Sequence, residues 1–394
     1  MPRPDGTLPP NHPATRTLFA PMHSTTLPHR WNLQGNHLMG ITRDRWRTLR
    51  RRPHHQVASA YWHRAAAMTL TSWISTPLSQ WEAWRYDAAI AATDLPADPI
   101  FILGHWRSGT TWLHELLALD IEHLAYPNTY EVMSPTTFLL SEPGLSRWFA
   151  NFLPRRRPMD NMRLSLQSPQ EDEFEIALTT LQSYYLALSF PEAEHMYERY
   201  LTLADLSVEE LQQWQTQFLW FLKKLTLKHG RPLVLKSPPH TARIRLLLQL
   251  FPKARFIHIH RHPYEVFRSM RRYYHTAGWL NCLQKPDLQT LDQAILRRYC
   301  LLYDAYFEQR SLIPSDQFYE LAFTDLEQAP AAQIQAIYQH FQLPYADTFT
   351  ARLQQTLQAR QQYRKNQYAP LEANLCQQIF QQWHESFAAW DYSP

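Results

Sequence analysis

The chain has 394 residues, 45% of them hydrophobic and 19% charged, which provides enough apolar material for a sizeable core and gives no sign of general disorder. The formal net charge of +4 is mild and is not gathered into the dense basic stripe of a nucleic-acid-binding protein, so a small polyanionic ligand fits better than a nucleic acid. Three scattered cysteines exclude a disulfide framework, and the lack of a secretory leader or membrane-spanning apolar run leads us to expect a cytoplasmic protein with reduced thiols.

Two segments precede the first predicted strand. The first 35 residues contain seven prolines, so we expect residues 1–35 to form a flexible arm without a packed helix or central strand. Residues 36–94 place five tryptophans among basic and polar residues in a helix-like pattern, and we expect a helical lid or brace that packs on the domain formed by residues 95–394. The alternative is a membrane-surface or partner-docking helix, because arginines at positions 43, 45, 47 and 50–52 lie beside tryptophans.

Strand-like and helix-like patterns alternate from residue 99 onward. Apolar runs predict strands at 99–104, 232–236, 254–260 and 317–323, and helical spacing predicts helices at 110–119, 207–230 and 241–251. The helix after Ser207 is the best defined, because Ser207 and Glu210 form a capping-box pattern and Gly230 stands where a helix stops. The alternation predicts an α/β fold in which a mainly parallel, P-loop-like sheet is flanked by helices on both faces, with an N-terminal helical extension.

A phosphate-binding loop is predicted after the first strand. Ligands of parallel sheets bind at the carboxyl ends of the strands, where Gly104, Lys236 and Arg261 fall. The segment Gly104-His-Trp-Arg-Ser-Gly-Thr-Thr111 has glycines that let backbone N–H groups point inward, and the following helix adds the positive end of its dipole. An NTPase loop would carry a lysine at the position of Thr110, so metal-assisted nucleotide hydrolysis is disfavoured.

Four segments resemble motifs of one enzyme family, the sulfotransferases that use 3′-phosphoadenosine 5′-phosphosulfate (PAPS). Residues 107–112, Arg-Ser-Gly-Thr-Thr-Trp, resemble the loop that binds the 5′-phosphosulfate, and Arg261 followed by Ser269 resembles the 3′-phosphate motif. Residues 323–326, Phe-Thr-Asp-Leu, resemble the Tyr-Glu-Asp-Leu segment near the adenine, with Phe323 in place of tyrosine. Residues 363–366, Tyr-Arg-Lys-Asn, resemble a late Arg-Lys-Gly loop that closes on the 3′-phosphate, with asparagine in place of glycine.

The resemblance implies PAPS as the donor co-substrate, no metal requirement, and transfer of a sulfuryl group to a hydroxyl or amine acceptor by in-line displacement. It also implies the donor-binding residues, which are Arg107, Ser108, Gly109, Thr110, Thr111, Trp112, Arg261, Ser269, Phe323, Arg364 and Lys365. The segment from Lys236 to His240, Lys-Ser-Pro-Pro-His, is similar to that of bacterial members of the family.

Cations and a base are the catalytic groups that such a transfer requires. Arg107 and Lys236 are our candidates for stabilising the charge that gathers on the leaving group. Many members carry a histidine two residues after the lysine, but this chain has Pro238 there, so His240 is the nearest substitute. Glu173, in an acidic cluster before an apolar helix, ranks level with His240 as the base, and Glu131 is a third candidate.

Two other classes of function remain open from the residues. One is a P-loop kinase or NTPase, and the other is a non-catalytic protein that binds anions or docks on a membrane through its N-terminal helix.

Overall fold

A parallel sheet lies at the centre of the fold. The structure, a computed structural model, describes residues 31–33, 36–95, 98–149, 164–360 and 369–394, and of residues 143 and 145–149 it describes the backbone alone. Within these residues the sheet has four strands in the order β2-β1-β3-β4, every neighbouring pair being parallel. The strands are β1 (Ile100–Leu103), β2 (Val234–Lys236), β3 (Arg255–His260) and β4 (Phe318–Ala322).

Helices connect and surround the strands. They are α1 (Arg43–Arg51), α2 (Trp62–Ala92), α3 (Thr110–Leu117), α4 (Thr129–Met133), α5 (Phe138–Phe149), α6 (Glu173–Thr179), α7 (Glu194–Tyr197), α8 (Arg199–Thr202), α9 (Val208–His229), α10 (Ile244–Leu250), α11 (Pro263–His275), α12 (Leu291–Gln309), α13 (Phe323–Gln328), α14 (Pro330–His340), α15 (Asp347–Arg360), α16 (Ala373–Gln382) and α17 (His384–Ala389). Short 3₁₀ turns include His37–Gly40 before α1 and Pro238–Ala242 after β2.

Both faces of the sheet are covered. Successive side chains of a strand point to opposite faces, and Phe101 and Leu103 accordingly enter one buried cluster while Ile100 and Ile102 enter another. All four residues of β1 are buried, as a strand covered on both sides requires. The predicted α/β fold with a mainly parallel sheet is confirmed.

The predicted helix after Ser207 is confirmed, and it begins and ends where the sequence predicts. The Ser207 side chain accepts the backbone N–H of Glu210, and the Glu210 side chain accepts the backbone N–H of Ser207, so this capping box satisfies two helix-end donors. Gly230 ends α9 in the left-handed conformation, with φ of +63°.

The segment 36–94 is helical and packs on the rest of the chain. Helix α1 ends at Arg51, before Pro53, and buries Trp46 and Leu49. Helix α2 contacts α9, α5 and the turn His37–Gly40. No helix in the described ranges is both long and apolar enough to cross a membrane. The division of the chain after residues 35 and 94 stays a prediction, and the proposed arm lies almost wholly outside the described residues.

Candidate active site

The carboxyl ends of the four strands meet at one edge of the sheet. The strand registers pair Ile102 with Lys236, Leu103 with His258, and His260 with Ala322. The residues that follow the strands, Gly104, Arg261 and Phe323, therefore lie beside Lys236 along this edge.

The loop between β1 and α3 has the backbone of an anion-binding loop. Gly104 and Gly109 have φ of +142° and +109°, which side chains rarely tolerate, and a Cβ at Gly109 would lie 2.3 Å from the Phe323 ring. The Gly104 N–H donates to Thr241 Oγ1 at 2.7 Å, which fixes the start of the loop. Helix α3 begins at Thr110, so its first N–H groups have no partner inside the helix. The Ser108 hydroxyl is buried and makes no hydrogen bond within the described residues.

The two segments predicted to bind phosphate lie far apart in the sequence and are in contact in the structure. Arg107 Nε donates to Ser269 Oγ at 2.8 Å, and an Arg261 guanidinium N–H donates to the carbonyl of Arg107 at 3.3 Å. The Arg261 guanidinium also lies 4.7 Å from the centre of the Phe323 ring and 3.5 Å from a Glu265 carboxylate oxygen. The structure thus brings Arg107, Arg261, Ser269 and Phe323 into one cluster.

The remaining donor-binding predictions have different surroundings. Trp112 is buried in the core on one face of the sheet, with the Arg360 guanidinium 3.5 Å from the centre of its ring. Arg364 and Lys365 lie outside the described residues.

A cavity of about 180 Å³ opens beside the loop. Arg107, Thr110 and Thr111 line it on the side of the loop, and Glu171 lines it as well. The rest of its wall is largely apolar and aromatic and includes Trp106, Met133, Phe174, Tyr184, Leu188 and Met270. The cavity therefore joins the predicted anion-binding loop to a wall that suits an apolar molecule.

Glu171 is the carboxylate at the junction of the loop and the cavity. It forms an ion pair with Lys236 and accepts a hydrogen bond from the hydroxyl of Tyr185. The Lys236 ammonium group is also 3.4 Å from Thr111 Oγ1, in the first turn of α3. Trp106 Nε1 donates to the Tyr185 hydroxyl at 3.1 Å. Burial, and then the charge of Glu171, raise the pKa of Tyr185 well above its usual range, so Tyr185 remains a donor to Glu171.

Glu173, one of the predicted bases, is engaged in a buried ion pair. Both of its carboxylate oxygens accept from the Arg243 guanidinium, at 2.6 and 3.1 Å, and one also accepts from Ser183 Oγ at 2.7 Å. Both charged side chains are withdrawn from solvent, and Glu173 does not line the cavity.

His240 and Glu131 do not line the cavity either. His240 is buried with Nε2 2.6 Å from an Asp172 carboxylate oxygen. Burial alone would raise the pKa of Asp172, but His240 and Ser237 outweigh it and hold that pKa below its usual value. Glu131 closes the capping box of α4 and forms ion pairs with Lys228 and His229.

Glu171 is not among the bases predicted from the sequence, although it belongs to the acidic segment before α6. Helix α6 begins at Glu173, so Glu171 precedes the helix, and helical periodicity does not predict the direction of its side chain. The signal in the sequence is the acidic cluster itself, in which four of the six residues from 170 to 175 are acidic, and the start of α6 in the structure decides which of them faces the cavity.

Comparison with known proteins identifies the family. A model of the sulfotransferase family matches residues 99–347. The chain is 36% identical over 334 residues to the omega-hydroxy-beta-dihydromenaquinone-9 sulfotransferase Stf3 of Mycobacterium bovis, which covers 84% of each chain. The same identity and coverage hold for the Stf3 protein of Mycobacterium tuberculosis.

Solved structures show the same fold. Sulfotransferase STF9 from Mycobacterium avium has a TM-score of 0.64 at 20% identity and covers 88% of this chain and 92% of its own. Sulfotransferase STF1 from Mycobacterium tuberculosis has a TM-score of 0.61 at 16% identity and covers 88% of this chain and 94% of its own. The family match and the 36% identical relatives favour sulfuryl transfer over the kinase, NTPase and non-catalytic alternatives. The chain belongs to the sulfotransferase family and is an enzyme that transfers a sulfuryl group.

Proposed function

We propose that this enzyme takes the sulfuryl group from PAPS and transfers it in line to the hydroxyl group of an apolar small molecule. The observation that carries the proposal is the contact between the two phosphate motifs, through Arg107 with Ser269 and Arg261 with the Arg107 carbonyl. Because these groups lie within one cluster, the two motifs are close enough for one doubly phosphorylated nucleotide to contact both.

The residues of the cluster suit a donor with an anion at each end. The buried Ser108 hydroxyl, without a partner among the described residues, and the N-terminal N–H groups of α3 would hold the phosphosulfate end. Arg261 and Ser269 would hold the 3′-phosphate, since a guanidinium fork and a hydroxyl both donate to phosphate oxygens. Phe323, with Arg261 over its ring, would contact the adenine. When bound, PAPS would supply the sulfuryl group and a phosphate leaving group.

Lys236 and Arg107 are the cations proposed to stabilise the developing charge of the leaving group. Lys236 is 2% exposed and lies against the first turn of α3, so its ammonium group acts in a site from which most water is excluded. Arg107 has φ of +71°, a left-handed backbone that sets its side chain toward Ser269. Fixed cations are the expected source of catalysis in a loose displacement of this kind.

Glu171 is the base that the geometry favours. Among the described residues it is the one acidic side chain that lines the cavity, whereas Glu173 and His240 are buried in pairs with Arg243 and Asp172. The Glu171 carboxylate would accept the proton of the acceptor hydroxyl as the new sulfur–oxygen bond forms. Lys236 and Tyr185 hold the carboxylate in place from two sides, which keeps it oriented toward the acceptor.

The wall of the cavity indicates the class of acceptor. Its aromatic and aliphatic side chains favour an apolar molecule that presents one hydroxyl group to Glu171 and the loop. The curated relatives at 36% identity are named for a hydroxylated menaquinone, an acceptor with such an apolar body. We infer a lipid-like alcohol as the acceptor of this enzyme.

We also infer a cytoplasmic location for the reaction. All three cysteines, Cys282, Cys300 and Cys376, are free thiols in the structure, as expected for a protein in a reducing compartment.

Transfer of labelled sulfate tests the proposed function. The purified enzyme is incubated with sulfur-35-labelled PAPS and an apolar lipid extract, in the presence of EDTA, and products are identified by mass. The proposal predicts a labelled, hydroxyl-linked sulfate ester whose formation needs no divalent metal. Absence of labelled product, together with magnesium-dependent turnover of ATP by the same preparation, would refute it.

A further inference from the structure

Helix α2 exposes a row of large apolar side chains on its solvent side. The six are Trp62, Leu70, Trp73, Ile74, Trp81 and Trp84, each more than half exposed and Trp84 81% exposed. Soluble proteins expose single apolar residues routinely, but a contiguous row of this size on one helix marks a surface that binds something.

The row forms a continuous stripe along the helix. Because successive residues of an α-helix are rotated by about 100°, the six side chains fall within an arc of about 120°. The buried residues Ala65, Met68, Ser72 and Ile90 lie on the opposite face and hold α2 against the rest of the chain. No Asp, Glu, Lys or Arg of α2 falls within the arc, and Arg85 and Asp87 border it on opposite sides.

Helix α1 adds positive charge beside the stripe. Its nine residues contain five arginines and one aspartate, and it packs directly on α2. The guanidinium of Arg43 lies 3.5 Å from the centre of the Trp73 ring. Arg47 and Arg50 are exposed. Arg47 follows Arg43 by four residues and Arg50 follows Arg47 by three, so all three arginines lie on one face of α1.

This combination fits a lipid surface better than a protein partner. Tryptophan is enriched where proteins meet the boundary between lipid headgroups and acyl chains, and arginine attracts anionic headgroups. A helix that pairs with another helix would instead carry mostly leucine, isoleucine and valine along a narrow seam, whereas four of the six residues here are tryptophans.

We propose that α1 and α2 dock this protein on the surface of a bilayer that contains anionic phospholipid, with the α2 stripe inserted at the headgroup level. The helices would lie in the plane of the membrane surface. The short turn His37–Gly40, which precedes α1 and contacts α2, contributes His37 to the wall of the cavity. The docking surface and the cavity thus share one N-terminal segment. The proposal goes beyond the proposed sulfuryl transfer and stands without it.

Vesicle co-sedimentation without PAPS or acceptor tests the proposal. The full chain is mixed with vesicles of phosphatidylcholine, with or without phosphatidylglycerol. We expect binding to the vesicles that contain phosphatidylglycerol, and weaker binding as salt is added, because salt screens the arginines. The triple variant Trp73→Ser, Trp81→Ser, Trp84→Ser should lower the partition coefficient at least about tenfold, since three large apolar groups no longer leave water. The double variant Arg47→Gln, Arg50→Gln should remove the preference for phosphatidylglycerol.

A matched control and a test of folding distinguish docking through the stripe from non-specific binding to vesicles. The double variant Ile121→Ser, Val208→Ser removes two exposed apolar side chains outside α1 and α2 and should bind as the wild type does. Circular dichroism melting of the triple variant should match that of the wild type, because the altered side chains face solvent. Equal vesicle binding by the wild type and the triple variant would overturn the proposal. A wild type that is dimeric in light scattering while the triple variant is monomeric would also overturn it, because the stripe would then bind a second copy.

Discussion

Glu171 and Lys236 form an ion pair at the carboxyl end of β2, with side chains 12% and 2% exposed. Lys236 contacts Thr111 at the end of the predicted anion-binding loop, and Glu171 lines the largely apolar cavity, so the pair connects the loop to the cavity. The cation proposed for the leaving group and the base proposed for the acceptor therefore lie side by side.

Replacing Glu171 by glutamine should lower kcat by about 10²-fold or more, because an amide cannot take up the proton of the acceptor hydroxyl. The affinity for adenosine 3′,5′-bisphosphate, measured by calorimetry, should change little, since Glu171 lines the cavity and is absent from the cluster around Arg261. Steady-state kinetics with an alcohol acceptor measures the effect. Full activity of Glu171→Gln, combined with loss of activity in a folded His240→Asn variant, would assign the base to His240 instead.

The buried pair of Arg243 and Glu173 should be structural. Arg243→Met leaves the Glu173 carboxylate buried without its cation, and losing one partner of such a pair costs about 3–5 kcal/mol of the free energy of unfolding. Urea denaturation gives this value. The control is Arg245→Met, two residues along the chain, whose side chain is 57% exposed and 3.3 Å from Glu308, and which should cost less than about 1 kcal/mol. Equal stabilities of the two variants would contradict the structural role.

Gly109 should tolerate no side chain. In Gly109→Ala the new Cβ would meet the Phe323 ring at 2.3 Å with φ of +109°, so the loop must distort and adenosine 3′,5′-bisphosphate should bind more weakly. The left-handed backbone alone costs an alanine about 1–2 kcal/mol, so the melting temperature should fall as well. Gly144→Ala is the matched control, because a Cβ there meets nothing within 4 Å and alanine favours the helix. A Gly109→Ala variant with unchanged affinity would show that the loop does not bind the nucleotide.

Glu175 should make the protein less stable as the pH rises. Burial raises the pKa of Glu175 to about 8, so between its unfolded pKa and pH 8 the folded state holds a proton that the unfolded state has lost. The free energy of unfolding should fall by up to about 1.4 kcal/mol for each pH unit in that window from this group. Burial lowers the pKa of histidines such as His105 and His114. These histidines make the free energy of unfolding rise with pH, but only below about pH 6.5, where the unfolded state binds their protons.

Urea denaturation between about pH 6.5 and 8 isolates this effect. The wild type should lose stability across the range, while Glu175→Gln, which cannot ionise, should give a flatter profile and exceed the wild type at pH 8. Parallel profiles for the two proteins would mean that Glu175 is already ionised in the folded state.

The sequence was sufficient for the fold and for the edge of the sheet where the site lies. The strands are short apolar runs, and parallel strands bring residues such as Lys236 and Arg261 to one edge wherever they stand in the chain. The loop could be read from its glycines because φ values of +142° and +109° restrict residue choice locally.

The residue that we propose as the base could not be predicted in the same way, because the direction of its side chain depends on tertiary partners. Glu171 and Glu173 are two residues apart, and only the start of α6 and the buried Arg243 decide which of them faces the cavity. The surroundings of His240 are likewise set by Asp172, which is 68 positions away in the sequence. The hydrophobic periodicity of a sequence describes one helix or strand at a time, so it does not predict contacts between side chains that are distant in the sequence.

Calorimetric titration with adenosine 3′,5′-bisphosphate, in a buffer without divalent metal, tests the central claim most directly. The account predicts one site per chain and a dissociation constant about 10 to 100-fold weaker for Arg261→Ala, because a charge-assisted contact to phosphate is lost. Arg245→Ala, which removes an exposed arginine elsewhere, should bind as the wild type does. Equal affinities of Arg261→Ala and the wild type, or no binding by the wild type, would contradict the claim that these two motifs hold one nucleotide.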